Sequence, residues 1–161
     1  MTNTFFIGDP HFGHKNIIKF GSRPFPTIED HDEELIRRWN SVVRKIDNVW
    51  VLGDFCFGKA NLAIADRLNG NKRLVMGNHD MYASADYLQY FDKLLGAVEF
   101  KDCILTHIPV HFSQFERYKF NIHGHLHSKV IEGNFKSRYL NVSAEQIDLT
   151  PISYEDLMKK T

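Results

Sequence analysis

Cysteine is scarce: Cys56 and Cys103 are the only two in 161 residues. They form no Cys-x-x-Cys pair and sit among apolar neighbours, so two buried free thiols are expected rather than a disulfide, and a structural zinc knot built on thiolates is disfavoured. A surplus of charge is also missing. Twenty basic and twenty acidic residues give a formal net charge of zero, which argues against non-specific duplex-DNA binding and against a polybasic membrane anchor. No run approaches the ~20 apolar residues that span a bilayer, so no membrane association is expected. The opening Met1-Thr2-Asn3-Thr4-Phe5-Phe6-Ile7 lacks the basic region and long apolar stretch of a secretory leader, and a cytoplasmic address is expected. Internal repeats and coiled-coil heptads are absent, as is the Gly-x-x-x-x-Gly-Lys-Ser/Thr phosphate loop of nucleotide-binding folds. The length suits one ordinary domain, read as 1–161. Nothing in the pattern fixes an oligomeric state.

What the chain does have is histidine in particular places. Seven of its nine histidines fall in or beside short polar islands that follow apolar runs. The islands are Gly8-Asp9-Pro10-His11, Gly53-Asp54, Gly77-Asn78-His79-Asp80 with Thr106-His107, and His123-Gly124-His125-Leu126-His127. Residues 4–7, 49–52, 72–76, 103–106, 120–122 and 139–142 read as strands, and 146–149 as a further one. Helices are expected over 32–43, 60–68 and 84–95, with a last one starting at the N-cap Ser153. Strand and helix alternate through the first hundred residues, which argues for βαβ units. The last third is richer in strands, so two stacked mixed sheets with helices outside fit better than a simple doubly wound fold. In α/β sheets ligands bind beyond the carboxyl ends of strands, where these islands begin.

The residue types in the islands are those of a metal cluster. Asp9 and His11 are two apart, and in extended backbone such residues point the same way. Asp54 ends an apolar strand, where a carboxylate is costly unless paired or metal-bound, and its two oxygens can bridge two cations. Asn78 offers a neutral oxygen. His79 is adjacent to it, so one of the two binds metal while the other faces substrate. Asp80 is placed to take an N–H from His79 and hold its tautomer. His107 ends a strand. His123, His125 and His127 alternate, and all three can in principle be ligands. Nitrogen and oxygen donors suit a borderline divalent metal. A pair of such ions with water between them makes a hydrolase site for phosphate esters.

The order Asp9-x-His11, Gly53-Asp54, Gly77-Asn78-His79-Asp80, His107 and Gly124-His125-x-His127 resembles the calcineurin-like metallophosphoesterases, in particular their small single-domain bacterial, archaeal and phage members. The resemblance covers residues 4 to about 145. It implies a four-layer α/β/β/α sandwich with a two-metal centre at the sheet edge. It implies that Asp9, His11 and His127 hold one ion, that Asn78, His107 and His125 hold the other, and that Asp54 bridges them. His79 then touches the phosphoryl group without binding metal, and a hydroxide between the ions is the nucleophile. Manganese is favoured among manganese, iron, zinc and nickel. His14 is expected at the pocket rim, Arg23 as a phosphate contact, and His123 at a strand position behind the ligands. His111 is either substrate-facing or an exposed loop residue. The substrate expected is a small phosphate ester or nucleotide-like molecule, with phosphodiesters favoured because so short a chain leaves little material for a cap. A phosphomonoesterase or protein phosphatase is the alternative within hydrolases. A non-catalytic, metal-stabilised scaffold is the alternative of another class.

Overall fold

Phe5, Phe6 and Ile7 are apolar on both faces, and the strand they form, β1 (Thr4–Ile7), is covered on both faces in the computed structural model, which describes residues 1–161. Strands β2 (Asn48–Val51), β3 (Asn71–Val75) and β4 (Lys93–Leu95) extend the sheet in parallel on one side of β1. The two-residue β9 (Ile152–Ser153) closes the other side antiparallel, giving the order β4-β3-β2-β1-β9. A second sheet has the order β5-β6-β7-β8, from β5 (Ala97–Phe100), β6 (Cys103–Thr106), β7 (Phe120–His123) and β8 (Tyr139–Asn141). β5 and β6 form an antiparallel hairpin, and β6, β7 and β8 run parallel. The sheets face each other across an aromatic contact, with Phe100 of β5 centred 5.6 Å from Phe6 and 6.4 Å from Trp50. Thirty-one buried residues make one continuous core. The expected architecture, two mixed sheets with helices outside, is the one observed.

The outer layers follow from local chemistry. Helix α2 (Ile28–Val42) starts where the Thr27 hydroxyl accepts the Asp30 N–H, four residues before the expected start. That Thr-x-x-Asp cap is the N-terminal signal, with Glu29 and Asp30 favourably placed in the first turn. Ile28, His31, Leu35, Ile36 and Trp39 face the sheet, and each large apolar side chain buried there contributes about 1.5–3 kcal/mol. The apolar stripe expected over 32–43, Leu35, Ile36, Trp39, Val42 and Val43, is buried except for Val42, which is exposed. Residues 59–67 form a 3-10 helix rather than an α-helix. Leu62, Ala65 and Leu68 are the buried positions, and a spacing of three suits 3-10 geometry. The expected helix over 84–95 is one turn, α3 (Ser84–Tyr87), after which the chain adds β4 to the exposed edge of β3. The expected strand at 146–149 is a 3-10 turn over Ala144–Ile147, and the strand that pairs with β1 comes later as β9. A short helix α1 (Ile17–Phe20) follows the first island. The last helix, α4 (Tyr154–Met158), is capped by Ser153 as expected. The 3-10 turn Phe112–Glu116 packs against the second sheet through Phe115, 4.8 Å from Tyr139 of β8. Cys56 and Cys103 are buried and free.

Asp47 ties α2 to the start of β2. Its carboxylate accepts the Asn3 N–H at 2.8 Å, the Arg44 N–H at 2.9 Å and the Arg44 guanidinium at 2.8 and 3.0 Å. The Arg44 bonds hold this carboxyl well below the usual carboxylate range. A depressed acid stabilises the fold above its unfolded value, and the gain is lost as pH falls below about 4. Asp47→Ala is therefore expected to lose about 2 kcal/mol at pH 7, a fall of roughly 4–8 °C in melting temperature. Paired thermal melts at pH 7 and pH 3 check it: the gap to wild type narrows in acid, and a gap independent of pH would contradict the assignment.

Candidate metal centre

Beyond the carboxyl ends of β1, β2, β3, β6 and β7 the two sheets pinch together. The Gly8 N–H bonds Val142 O at 2.7 Å, and Gly8 O accepts the Ala144 N–H at 2.9 Å. A side chain on Gly124 would meet Asp9 Oδ2 at 2.6 Å and Leu52 O at 2.8 Å. One on Gly77 would run into the Asp54 carboxylate. Glycine is what lets the backbone lie this close to the two acids.

Asp9 is fully buried; its Oδ2 accepts the His125 N–H at 2.7 Å, while its Oδ1 has no hydrogen-bond partner. His11 is buried with neither ring nitrogen partnered. Its Nε2 stands 3.8 Å from Asp9 Oδ1 and 3.7 Å from Asp54 Oδ2, and His127 Nε2 stands 3.9 Å from Asp9 Oδ1. Ligating atoms of Asp9, His11 and His127 lie within 4.8 Å of one another, and so do those of Asp9, Asp54 and His107. Asn78 Oδ1 and His125 Nδ1 approach His107 Nε2 to 2.9 and 3.2 Å, and Asp54 Oδ2 is 3.4 Å from the same nitrogen.

The donors and acceptors here do not balance. His107 Nδ1 lies 2.8 Å from the Leu52 carbonyl, which assigns the ring proton to that nitrogen. In the neutral ring Nε2 is then a lone pair, facing an amide oxygen, a carboxylate oxygen and another imidazole nitrogen. With Nε2 unprotonated, the carboxylate and amide oxygens face a lone pair, a mismatch that a proton on Nε2 or a metal cation between them relieves. Burial opposes protonation of His107, but the Asp54 carboxylate outweighs it and raises the His107 pKa. Burial drives His11 down to about 2, keeping it neutral, and pushes Asp9 up to about 6 against the pull of His107 and His127. Burial also works to raise Asp54, yet the hydrogen bond and charge of His107 and the His79 N–H hold it at about 2. The orphaned nitrogens, the unpaired Asp9 oxygen and the oxygen–imidazole donor set fit a divalent metal.

The backbone reason for this convergence differs from the expected one. Asp9, His11, Asp54, His125 and His127 all have positive φ, between 52° and 68°. These pairs do not lie on extended strands, so alternation does not aim them; left-handed turns do, at a cost of order 1–3 kcal/mol each. Arg23 supports the first turn. It is buried, donates to Asp9 O at 2.6 Å and Pro10 O at 2.7 Å, and pairs with Glu145 at 2.8 Å. The expectation of a phosphate contact is corrected here, since the guanidinium is spent beneath the loop. Asp80 is likewise not aimed at His79. Its oxygens accept the N–H groups of Asp54 (2.7 Å), Gly77 (2.8 Å) and Phe55 (3.0 Å), clamping the ends of β2 and β3.

His79 is exposed at the mouth, its N–H bonding Asp54 Oδ1 at 2.9 Å and its ring 6.0 Å from that of His11. His14 stands at the rim, 5.4 Å from His11 and 3.9 Å from Phe57 between ring centres. His123 is buried at the end of β7, bonded through Nδ1 to Gly124 O, and burial lowers its pKa to about 4. His111 is exposed and caps the 3-10 turn at Ser113, with its ring on Phe112. Two neighbours of the cluster had not been expected. Glu145 accepts from His127 Nδ1 at 3.1 Å, which turns the Nε2 lone pair towards Asp9. It follows the apolar strand β8 within a few residues, the same pattern that marks Asp9 and Asp54. Phe57, 5.2 Å from His79, has no comparable signal. A hollow of about 1120 Å³ lies at the other end of β1, between the N-terminus and α4.

The model of the calcineurin-like phosphoesterase family matches residues 2–159. An uncharacterized protein of Methanocaldococcus jannaschii is 32% identical over 169 residues, covering 99% of this chain and 91% of that protein. The gene 66 protein of mycobacterium phage L5 is 33% identical over 169 residues, covering 81% of this chain and 80% of the phage protein. Among solved structures, a protein of unknown function from Aquifex aeolicus superposes over 100% of both chains with a TM-score of 0.77 and 26% identity. No helix is long and apolar enough to cross a membrane.

Proposed function

The chain belongs to the calcineurin-like phosphoesterase family, whose members are hydrolases, and from that membership we propose that it cleaves phosphodiesters at a centre of two divalent ions, with manganese the favoured metal. The observation that carries the reading is the cage of Asn78 and Asp54 oxygens and the His125 nitrogen around His107 Nε2, beside the unpartnered His11 ring. Asp9, His11 and His127 would hold one ion, Asn78, His107 and His125 the other, and Asp54 both. Ions so held supply Lewis acidity to phosphoryl oxygens and lower the pKa of water from 15.7 to roughly 7.

The remaining work falls to the chain's own groups. Asp80 fixes the strand ends that carry Asp54 and Asn78, and Arg23 fixes the turn that carries Asp9 and His11. Glu145 fixes the tautomer of His127. His79, exposed at the mouth and outside both ligand groups, donates a hydrogen bond to the phosphoryl group and a proton to the leaving oxygen. Asn78 and His79 are exposed at the mouth, which admits a small diester carrying an organic group on each side.

Turnover of mono-, di- and cyclic phosphate esters by manganese-loaded protein tests the proposal. A preference for diesters supports it. A preference for monoesters would move the protein to the phosphatase reading, and negligible turnover of every class would overturn a catalytic role.

A further inference from the structure

A hollow of about 300 Å³ opens beside the centre, between α1 and residues 125–129, with His125 and His127 in its wall. Ile17 and Leu126 line it and are buried or half-buried, whereas Phe20, also lining it, is 78% exposed. Lys129 lines it too. An exposed ring at the side of a hollow whose wall includes two histidines of the cluster has the character of a binding wall. Resting on the diester reading, we propose that this hollow is the subsite for a nucleobase-sized aromatic group on the retained arm of the substrate, the arm that stays on phosphorus.

The arrangement of rings assigns the arm. The His11 ring has two different neighbours, His127 stacked on it at 5.2 Å and Phe57 tilted against it at 5.5 Å. His79 stands on the Phe57 side, 5.2 Å from it. The leaving oxygen that takes a proton from His79 therefore departs toward Phe57 and His14, and the other ester arm extends past His127 into the hollow. A flat ring meets the π-face of Phe20 there, an interaction that tolerates any base. Lys129 lines the same hollow and suits a ligand carrying negative charge. In the reaction a water oxygen forms the new bond to phosphorus, the bond to the leaving oxygen breaks, and the group in the hollow remains esterified.

Two probes that share a leaving group separate the arms: thymidine 5′-(p-nitrophenyl) phosphate and methyl p-nitrophenyl phosphate. Wild type is expected to favour the thymidine ester in kcat/KM. F20A is expected to reduce that preference about tenfold, while F20W, which keeps an aromatic face, retains it. The exposure of Phe20 allows both variants to fold, and matched melting temperatures check this. An unchanged preference in F20A, or equal loss in F20A and F20W, would overturn the subsite while leaving the diesterase intact. Hydrolysis of neither ester by wild type would overturn the diesterase reading and the subsite with it.

Discussion

Asp54→Asn is expected to empty the proposed centre and lower turnover by at least about 10³-fold, equivalent to roughly 4 kcal/mol of transition-state stabilisation. The substitution is nearly isosteric. The retained Oδ1 still accepts the His79 N–H, so the turn after β3 is undisturbed. What changes is Oδ2, the oxygen 3.7 Å from His11 Nε2 and 3.4 Å from His107 Nε2. An amide NH₂ there replaces a negative acceptor with a neutral donor facing the space shared by both ligand groups. Elemental analysis after dialysis, alongside steady-state rates, reads both effects. Two undiminished ions per chain would contradict the placement of Asp54 between them.

His79→Ala has the opposite signature: metal content is unchanged, and kcat falls about 10²–10⁴-fold, the usual size of a general acid's contribution. The side chain lies outside both groups of converging ligands, and the link to Asp54 is made by the backbone N–H, which alanine keeps. The loss is expected to be larger for alkyl esters than for p-nitrophenyl esters, because a nitrophenolate departs without a proton. Near wild-type turnover of alkyl diesters, or a loss independent of the leaving group, would rule out proton donation by His79.

The strand ends were readable because each is an apolar run broken by a polar island, and that pattern needs no long-range information. The family and the two-sheet architecture followed from the order of those islands. Other features depend on partners far along the chain. Nothing local tells residues 93–95 that the edge of β3 is open, so an expected helix became α3, a turn and β4. The period of three in Leu62, Ala65 and Leu68 was legible, yet it was read as α-helix. Arg23 bonds Glu145 across 122 positions, and no spacing rule reaches that far. The convergence of Asp9 with His11 was anticipated for a reason that does not hold, because alternation applies to extended chain and these residues are left-handed.

That left-handedness sets the protein's durability against its chemistry. Asparagine and glycine occupy this backbone region more comfortably than histidine does. Each of Asp9, His11, Asp54, His125 and His127 is thus a position where glycine would relax the backbone and supply no side-chain ligand. Selection for heat resistance alone would favour glycine at these five positions, and a requirement for the proposed chemistry would oppose it.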